Sequence, residues 1–265
     1  SPNRYTVVMR KTKKAKDEDA NDKSGIGETV STILWALGIA FVLRTFIFQP
    51  FHIPSGSMVP GLVKGDYIIT SKFTVGFGKH AATPFPFPVK KGRLFERELN
   101  RGDVIVFRPE GDTKNFIKRV VGLPGDQIQM KQGLLYLNGE RVPVEKAGNY
   151  EYKNGYGNIE NSDLLWEVFP DGRRHQVLDS QKNSPLDRTD VRTVPAGFYF
   201  MMGDNRDHSY DSRVSVAKGG AGIVPKENII GRAEIILLSV DEDFVLIKPW
   251  TWLNIRKDRW FKDIK

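Results

Sequence analysis

Phe116-Ile117-Lys118-Arg119-Val120-Val121-Gly122-Leu123-Pro124-Gly125-Asp126 is an aromatic and β-branched run stopped by Gly and Pro. Such a run predicts a short strand ended by a tight turn. Strand alternation sets Phe116, Lys118 and Val120 on one face and Arg119 on the other. A lysine on an apolar face loses hydration, which disfavours its charged form and lowers its pKa from about 10.4. Arg119, facing away, stays charged. A strand lysine is also what a snorkelling surface residue looks like, and this run by itself leaves both readings open.

The same signature recurs on either side. Asp66 to Phe73 (DYIITSKF), Asp103 to Arg108 (DVIVFR), Phe198 to Met202 and Ile229 to Val240 read as strands. Leu134 to Leu137, Asn138-Gly139 and Glu140 to Val144 read as a hairpin with a two-residue loop. Many short strands with close turns predict a mainly β chain: an antiparallel sheet closed as a sandwich or barrel. Residues 146–192 differ, being rich in Asn, Asp, Gly and Ser. They read as a cap inserted into the main sheet.

Upstream, Val30 to Phe48 (VSTILWALGIAFVLRTFIF) is nearly all apolar and close to the ~20 residues a bilayer-spanning helix needs. Arg44 lies about one turn from its end and can snorkel to the headgroups. Arg10, Lys11, Lys13, Lys14 and Lys16 precede it, which predicts a cytoplasmic N-terminus. The expected layout is a cytoplasmic segment 1–28, a transmembrane helix 29–48 and an extracytoplasmic β-domain 49–265. A cleavable leader is not expected, because the run is long and no small-residue site follows it.

Two further segments are apolar without being strand-like. Thr83-Pro84-Phe85-Pro86-Phe87-Pro88 cannot form a helix or central strand, so its phenylalanines are expected to face lipid or a partner. In the tail, Trp250, Trp252, Trp260 and Phe261 interleave with Arg256, Lys257, Arg259 and Lys262. That is the composition of a membrane interface; the alternative is a packed terminal helix.

Composition narrows the chemistry. The net charge is +8, with the basic residues scattered, which suits anionic lipid rather than nucleic acid. There is no cysteine, so disulfides, a catalytic thiol and a thiolate metal site are excluded. His52, His80, His175 and His208 match no metal spacing. Asp204, Asp207 and Asp211 lack the Gly and Glu positions of a calcium loop, and no metal is predicted. A Ser-His-Asp triad is neither excluded nor supported.

Ile53-Pro54-Ser55-Gly56-Ser57-Met58-Val59-Pro60 follows the apolar run. Serines among Pro and Gly make a turn, and this one lies where a membrane helix would meet water. Ser57 as a nucleophile needs a base. Lys118 is the candidate, since a base at neutral pH wants a pKa near ~7–8.

Four blocks then align in order: PSGSM (54–58), GDYIITSKF (65–73), RGDVIVF (101–107) with FIKRVVGLPGD (116–126), and MMGDNRDHSYDSR (201–213). With the apolar run, they resemble the bacterial type I signal peptidases over most of residues 30–235. The resemblance implies a membrane-anchored Ser/Lys protease with no cofactor. It implies Ser57 as nucleophile and Lys118 as general base. Ser55 with the Ser57 N–H would form the oxyanion hole, and Ser209 would orient the lysine. Asp211 and Arg213 would brace the site, and Gly203, Asp204, Asn205 and Arg206 would form the turn that holds this block. Phe107, Phe116 and Met201 would keep the lysine dry. Phe51, Ile53, Pro54, Met58, Leu62, Ile68, Val106, Phe116 and Ile117 would bind substrate in shallow apolar pockets.

The implied substrates are exported preproteins cut after Ala-x-Ala. The implied partners are membrane lipid and the protein export channel, with the enzyme in the bacterial inner membrane facing the periplasm. His208 stands where Asn is frequent in that family. Two other readings share parts of the pattern. A membrane-tethered β-module could bind peptides without cutting them. A self-cleaving Ser/Lys repressor would need a DNA-binding helix pair where this chain has its apolar run.

Overall fold

The computed structural model describes residues 27–80, 92–154, 157–181, 183–241, 248 and 255–264. The N-terminal basic cluster, the Pro-Phe repeat at 83–88, Trp250 and Trp252 lie outside them. The described part of the N-terminal unit is helical and belongs to α1 (Gly27–Ile47), long and apolar enough to cross a membrane. Its last turn, Leu43–Ile47, is wound as a π-helix. Residues 27–44 are exposed on all sides, as expected of a helix that is apolar all round.

From Thr45 onward the chain is mainly β. Its strands are β1 (Phe48–His52), β2 (Asp66–Ser71), β3 (Val104–Phe107), β4 (Phe116–Gly122), β5 (Gln127–Lys131), β6 (Leu134–Leu137) and β7 (Glu140–Arg141), followed by β8 (Val144–Lys153), β9 (Ile159–Val168), β10 (Arg174–Asp179), β11 (Arg192–Thr193), β12 (Phe198–Met202), β13 (Val224–Pro225), β14 (Ile229–Ser239) and β15 (Lys262–Asp263). The main sheet is an antiparallel half-barrel in the order β1-β2-β14-β3-β4-β12-β13, with β15 added to β14. Strands β11-β5-β6-β7 make a second sheet. At its hairpin, Asn138 and Gly139 have φ of 53° and 85°, the pair of positive values a type I′ turn requires.

Alternation along the main sheet sorts its core into two faces. Ile105, Phe107, Val120, Tyr199 and Met201 pack on one. Val104, Val106, Ile68 and Ile236 pack under the other, together with Ile53, Met58 and Leu62 from the turn after β1. Strand β4 is buried from Lys118 onward, so both of its cations leave water.

The polar segment expected as a cap is a three-stranded antiparallel sheet, β10-β9-β8. It starts at Val144 and ends at Asp179. Residues beyond that turn back to the second sheet, where Arg192 pairs with Ile128. The alternating exposure of β8 explains why its residues, KAGNYEYK from Lys146, read as loop. Strand propensity is weak where one face is open to water and the other only half-covered.

The described part of the tail is not a helix of any length. A single 3-10 turn, Lys257–Arg259, leads into β15. Trp260 and Phe261 are exposed, whereas Arg259 turns inward. Its guanidinium grips both oxygens of fully buried Asp66, with Nε–Oδ1 at 3.0 Å and Nη2–Oδ2 at 2.6 Å. Removing one partner of a buried pair strands the other charge. Arg259→Met is therefore expected to cost about 3–5 kcal/mol, read as a lower denaturant midpoint.

Candidate active site

Ser57 and Lys118 come from places 61 residues apart, yet Lys118 Nζ lies 2.5 Å from Ser57 Oγ. Strand β4 delivers the lysine. Its backbone pairs Ile105 opposite Lys118 on β3 and Met201 opposite Val120 on β12. The amine therefore emerges among the side chains of the first core face, with the Phe116 ring centroid at 6.0 Å. Phe107 and Met201 have no exposed surface, and the Phe107 and Phe116 rings are 6.1 Å apart. Lys118 is 4% exposed. Burial lowers its pKa to about 8, offset in part by the carboxylates of Asp211 and Asp204 and reinforced by Arg213.

The turn after β1 delivers the serine. Ile53 N–H donates to Asp66 C=O at 2.8 Å and Gly65 N–H to Ile53 C=O at 3.0 Å. These close the loop over the buried side chains of Met58 and Leu62. From the other side, Asn205 holds the turn twice. Its N–H donates to the Ser57 carbonyl and its Nδ2 to the Gly56 carbonyl, each at 3.2 Å. Ser55 is exposed in front of Ser57. Neither its hydroxyl nor the Ser57 N–H has a hydrogen-bond partner among the described residues. Both donors are free to meet an oxyanion.

Residues 203–213 pack behind this pair. Gly203 is required by close approach: a Cβ there would overlap the Ser57 carbonyl oxygen and the Ser209 hydroxyl. Its N–H donates to Asp211 Oδ2 at 3.0 Å. Arg213 binds both oxygens of Asp211, Nε–Oδ1 at 2.9 Å and Nη2–Oδ2 at 2.8 Å. Burial by itself would push the Asp211 carboxyl up, but Arg213 and the N–H donors hold it below the usual range. Ser209 is buried beside Gly203. Its hydroxyl has no partner among the described residues, so the bond to Lys118 that the resemblance implies is not formed in this arrangement.

A scan against family models matches residues 26–238 to signal peptidase, peptidase S26. The chain belongs to that family. The signal peptidase I of Rickettsia akari (strain Hartford) is 34% identical over 92% of this chain and 97% of its own. That of Rickettsia rickettsii (strain Sheila Smith) is 36% identical over the same shares. A solved signal peptidase I from Enterococcus faecalis V583 has a TM-score of 0.30 and 24% identity, over 51% of this chain and 97% of that one, a likeness too slight to build on.

The residues expected to bind substrate separate into two groups. Ile53, Met58, Leu62, Ile68 and Val106 are at most 2% exposed and share one cluster. They have almost no surface for a peptide to touch and form the layer beneath. Phe51 and Ile117 lie at the rim of that cluster, Pro54 is exposed, and Phe116 is half-buried on the lysine face. A cavity of about 470 Å³ lies elsewhere, between Arg119 and His175, and includes neither Ser57 nor Lys118.

Sequence reasoning missed the partner of Arg119. On the opposite face from Lys118, its Nε and Nη2 bind both oxygens of buried Asp204 at 2.8 and 2.7 Å. Two consecutive cations in an apolar strand were the available signal. One can lose its charge; an arginine cannot, so a buried carboxylate had to meet it. The crowding at residue 203 is directly testable. Gly203→Ala is expected to cost about 1–3 kcal/mol through overpacking, measured by chemical denaturation.

Proposed function

We propose that this chain is a membrane-anchored serine endopeptidase that removes signal peptides from exported preproteins, with Ser57 as nucleophile and Lys118 as general base. The 2.5 Å between Nζ and Oγ, in a site where the amine is drained of water, carries the reading. Neutral Lys118 takes the hydroxyl proton as Ser57 attacks the scissile carbonyl. The oxyanion forms against Ser55 Oγ and the Ser57 N–H. Lys118 then returns the proton to the leaving amine, and water releases the acyl-enzyme.

The substrate lies extended against the sheet, so alternate side chains point the same way. The half-buried Phe51 and Ile117 and the exposed Pro54 form shallow apolar walls that suit methyl groups, so Ala-x-Ala is selected by exclusion of larger residues. In this reading α1 spans the inner membrane with residues 1–28 on the cytoplasmic side. Residues 49–265, including the inserted cap, face the periplasm near anionic lipid and the export channel.

Detergent-solubilised protein and a preprotein bearing Ala-x-Ala test the reading. Ser57→Ala should abolish cleavage. Lys118→Ala should lower kcat by at least roughly 10²–10⁴-fold, and Ser55→Ala by on the order of 10²–10³-fold. Undiminished cleavage in either of the first two variants removes the dyad. Peptide binding without cleavage by the unaltered protein would favour the non-catalytic β-module.

The pH dependence has a definite sign. With the folded pKa near 8, Lys118 is mostly protonated at pH 7 and mostly neutral above 8. The rate should rise through about pH 8 and level off, rather than continue rising toward the value of a free lysine. A limb centred near 10 would contradict a desolvated base.

A further inference from the structure

The blocks that carry the family resemblance are also held from outside themselves. We infer that Glu167, a carboxylate of the inserted sheet, is a positioning residue for the Ser57–Lys118 pair and acts through Arg206. The inference rests on the reading of that pair as the catalytic dyad.

Glu167 on β9 is 1% exposed and Arg206 is 5% exposed. The two meet as a fork: Nη1 donates to Oε1 at 2.8 Å and Nη2 to Oε2. Burial would push the Glu167 carboxyl up, but Arg206 and the adjacent His175 ring, 3.3 Å away, hold it ionised. Arg206 Nε has no partner among the described residues, so Glu167 is what neutralises this guanidinium at hydrogen-bond distance.

The backbone on either side of Asn205 is held by the same sheet. Arg206 N–H donates to Leu178 C=O at 3.0 Å, and Leu178 N–H donates to Asp204 C=O at 2.8 Å. Leu178 and Asn205 thus form a parallel bridge. One step on, Asp207 Oδ2 accepts the N–H groups of Ser180 and Gln181 at 2.8 and 2.9 Å. Asn205 is the residue whose N–H and side chain hold the Ser57 and Gly56 carbonyls. The route from the insert to the nucleophile is therefore Glu167, Arg206, Asn205, Ser57.

Loss of Glu167 also frees a buried cation. Asp204 and Asp211 are the next carboxylates to act on Arg206. They are already engaged by Arg119 and Arg213 and bear on the Lys118 amine. A released Arg206 would compete for them and shift the turn that carries Asn205. That displaces Ser57 from the amine while leaving Phe51 and Ile117, which sit on strands β1 and β4, in place. The signature is a fall in kcat with KM preserved.

The test uses the full chain in detergent with the Ala-x-Ala preprotein, well below the melting temperature and normalised to folded enzyme. Glu167→Gln keeps the side-chain shape and removes the charge. Its kcat should fall on the order of 10- to 100-fold with KM within about twofold. A Glu167→Met/Arg206→Met double variant removes both charges, and so avoids a stranded ion. It should melt higher than the single variant yet not regain kcat. Unaltered kcat in either variant, or failure of both to fold, would assign Glu167 to stability alone and overturn the inference. Lys118→Ala runs alongside. If it retains activity, the dyad reading fails and takes this inference with it. If it is inactive while both Glu167 variants turn over normally, only this inference falls.

Discussion

An amine shut away from water sets the terms for everything around it. Lys118 sits in a strand whose neighbours are core residues, and among the described residues no carboxylate meets its amine at contact distance. Burial draws its pKa down toward 8, so the amine sheds its proton where a free lysine is still fully charged. The compensating carboxylates, Asp211 and Asp204, stand one layer back, each saturated by its own arginine. Had either faced Nζ directly and unpaired, it would have stabilised the ammonium and kept the amine charged. The layout keeps charges close enough to order the site and too occupied to lift the lysine's pKa back to its ordinary value.

That constraint propagates into packing. The fully buried forks, Arg119–Asp204, Arg213–Asp211 and Arg206–Glu167, all converge on residues 203–213. Forked arginine pairs are directional, so they fix backbone as well as charge. The turn they fix presses against the Ser57 carbonyl so closely that residue 203 has no room for a side chain. Position of Ser57 is thus tied to the electrostatics around Lys118. The inserted sheet takes part in this, because its β10 edge and Glu167 hold two sides of Asn205.

Much of the framework was legible along the chain. Strands β2, β3, β4, β12 and β14 and the Asn138-Gly139 hairpin follow from alternation, β-branching and turn chemistry, with ends differing by a residue or two. The membrane-length helix follows from its unbroken apolar run. The insert was not legible as structure. Strands β8 and β9 carry polar residues on both faces, so their sequences show no apolar/polar alternation to read. The role given to residues such as Leu62 and Ile68 also needed coordinates, since apolar identity does not distinguish a pocket wall from the layer behind it.

By itself the sequence determined that Lys118 shares a face with Phe116 and Val120 while Arg119 points away, because side-chain direction in a strand depends only on parity. It determined equally that no thiol or cysteine-bound metal takes part, because the residues are absent. Only the tertiary structure decided that Nζ meets Ser57, that Asp204 answers Arg119, and that Glu167 answers Arg206. Those pairs are 61, 85 and 39 residues apart. Charge alone offers many partners at such separations. Which pair forms is settled by where the sheet's curl and the insert bring the backbone, and no local pattern encodes that.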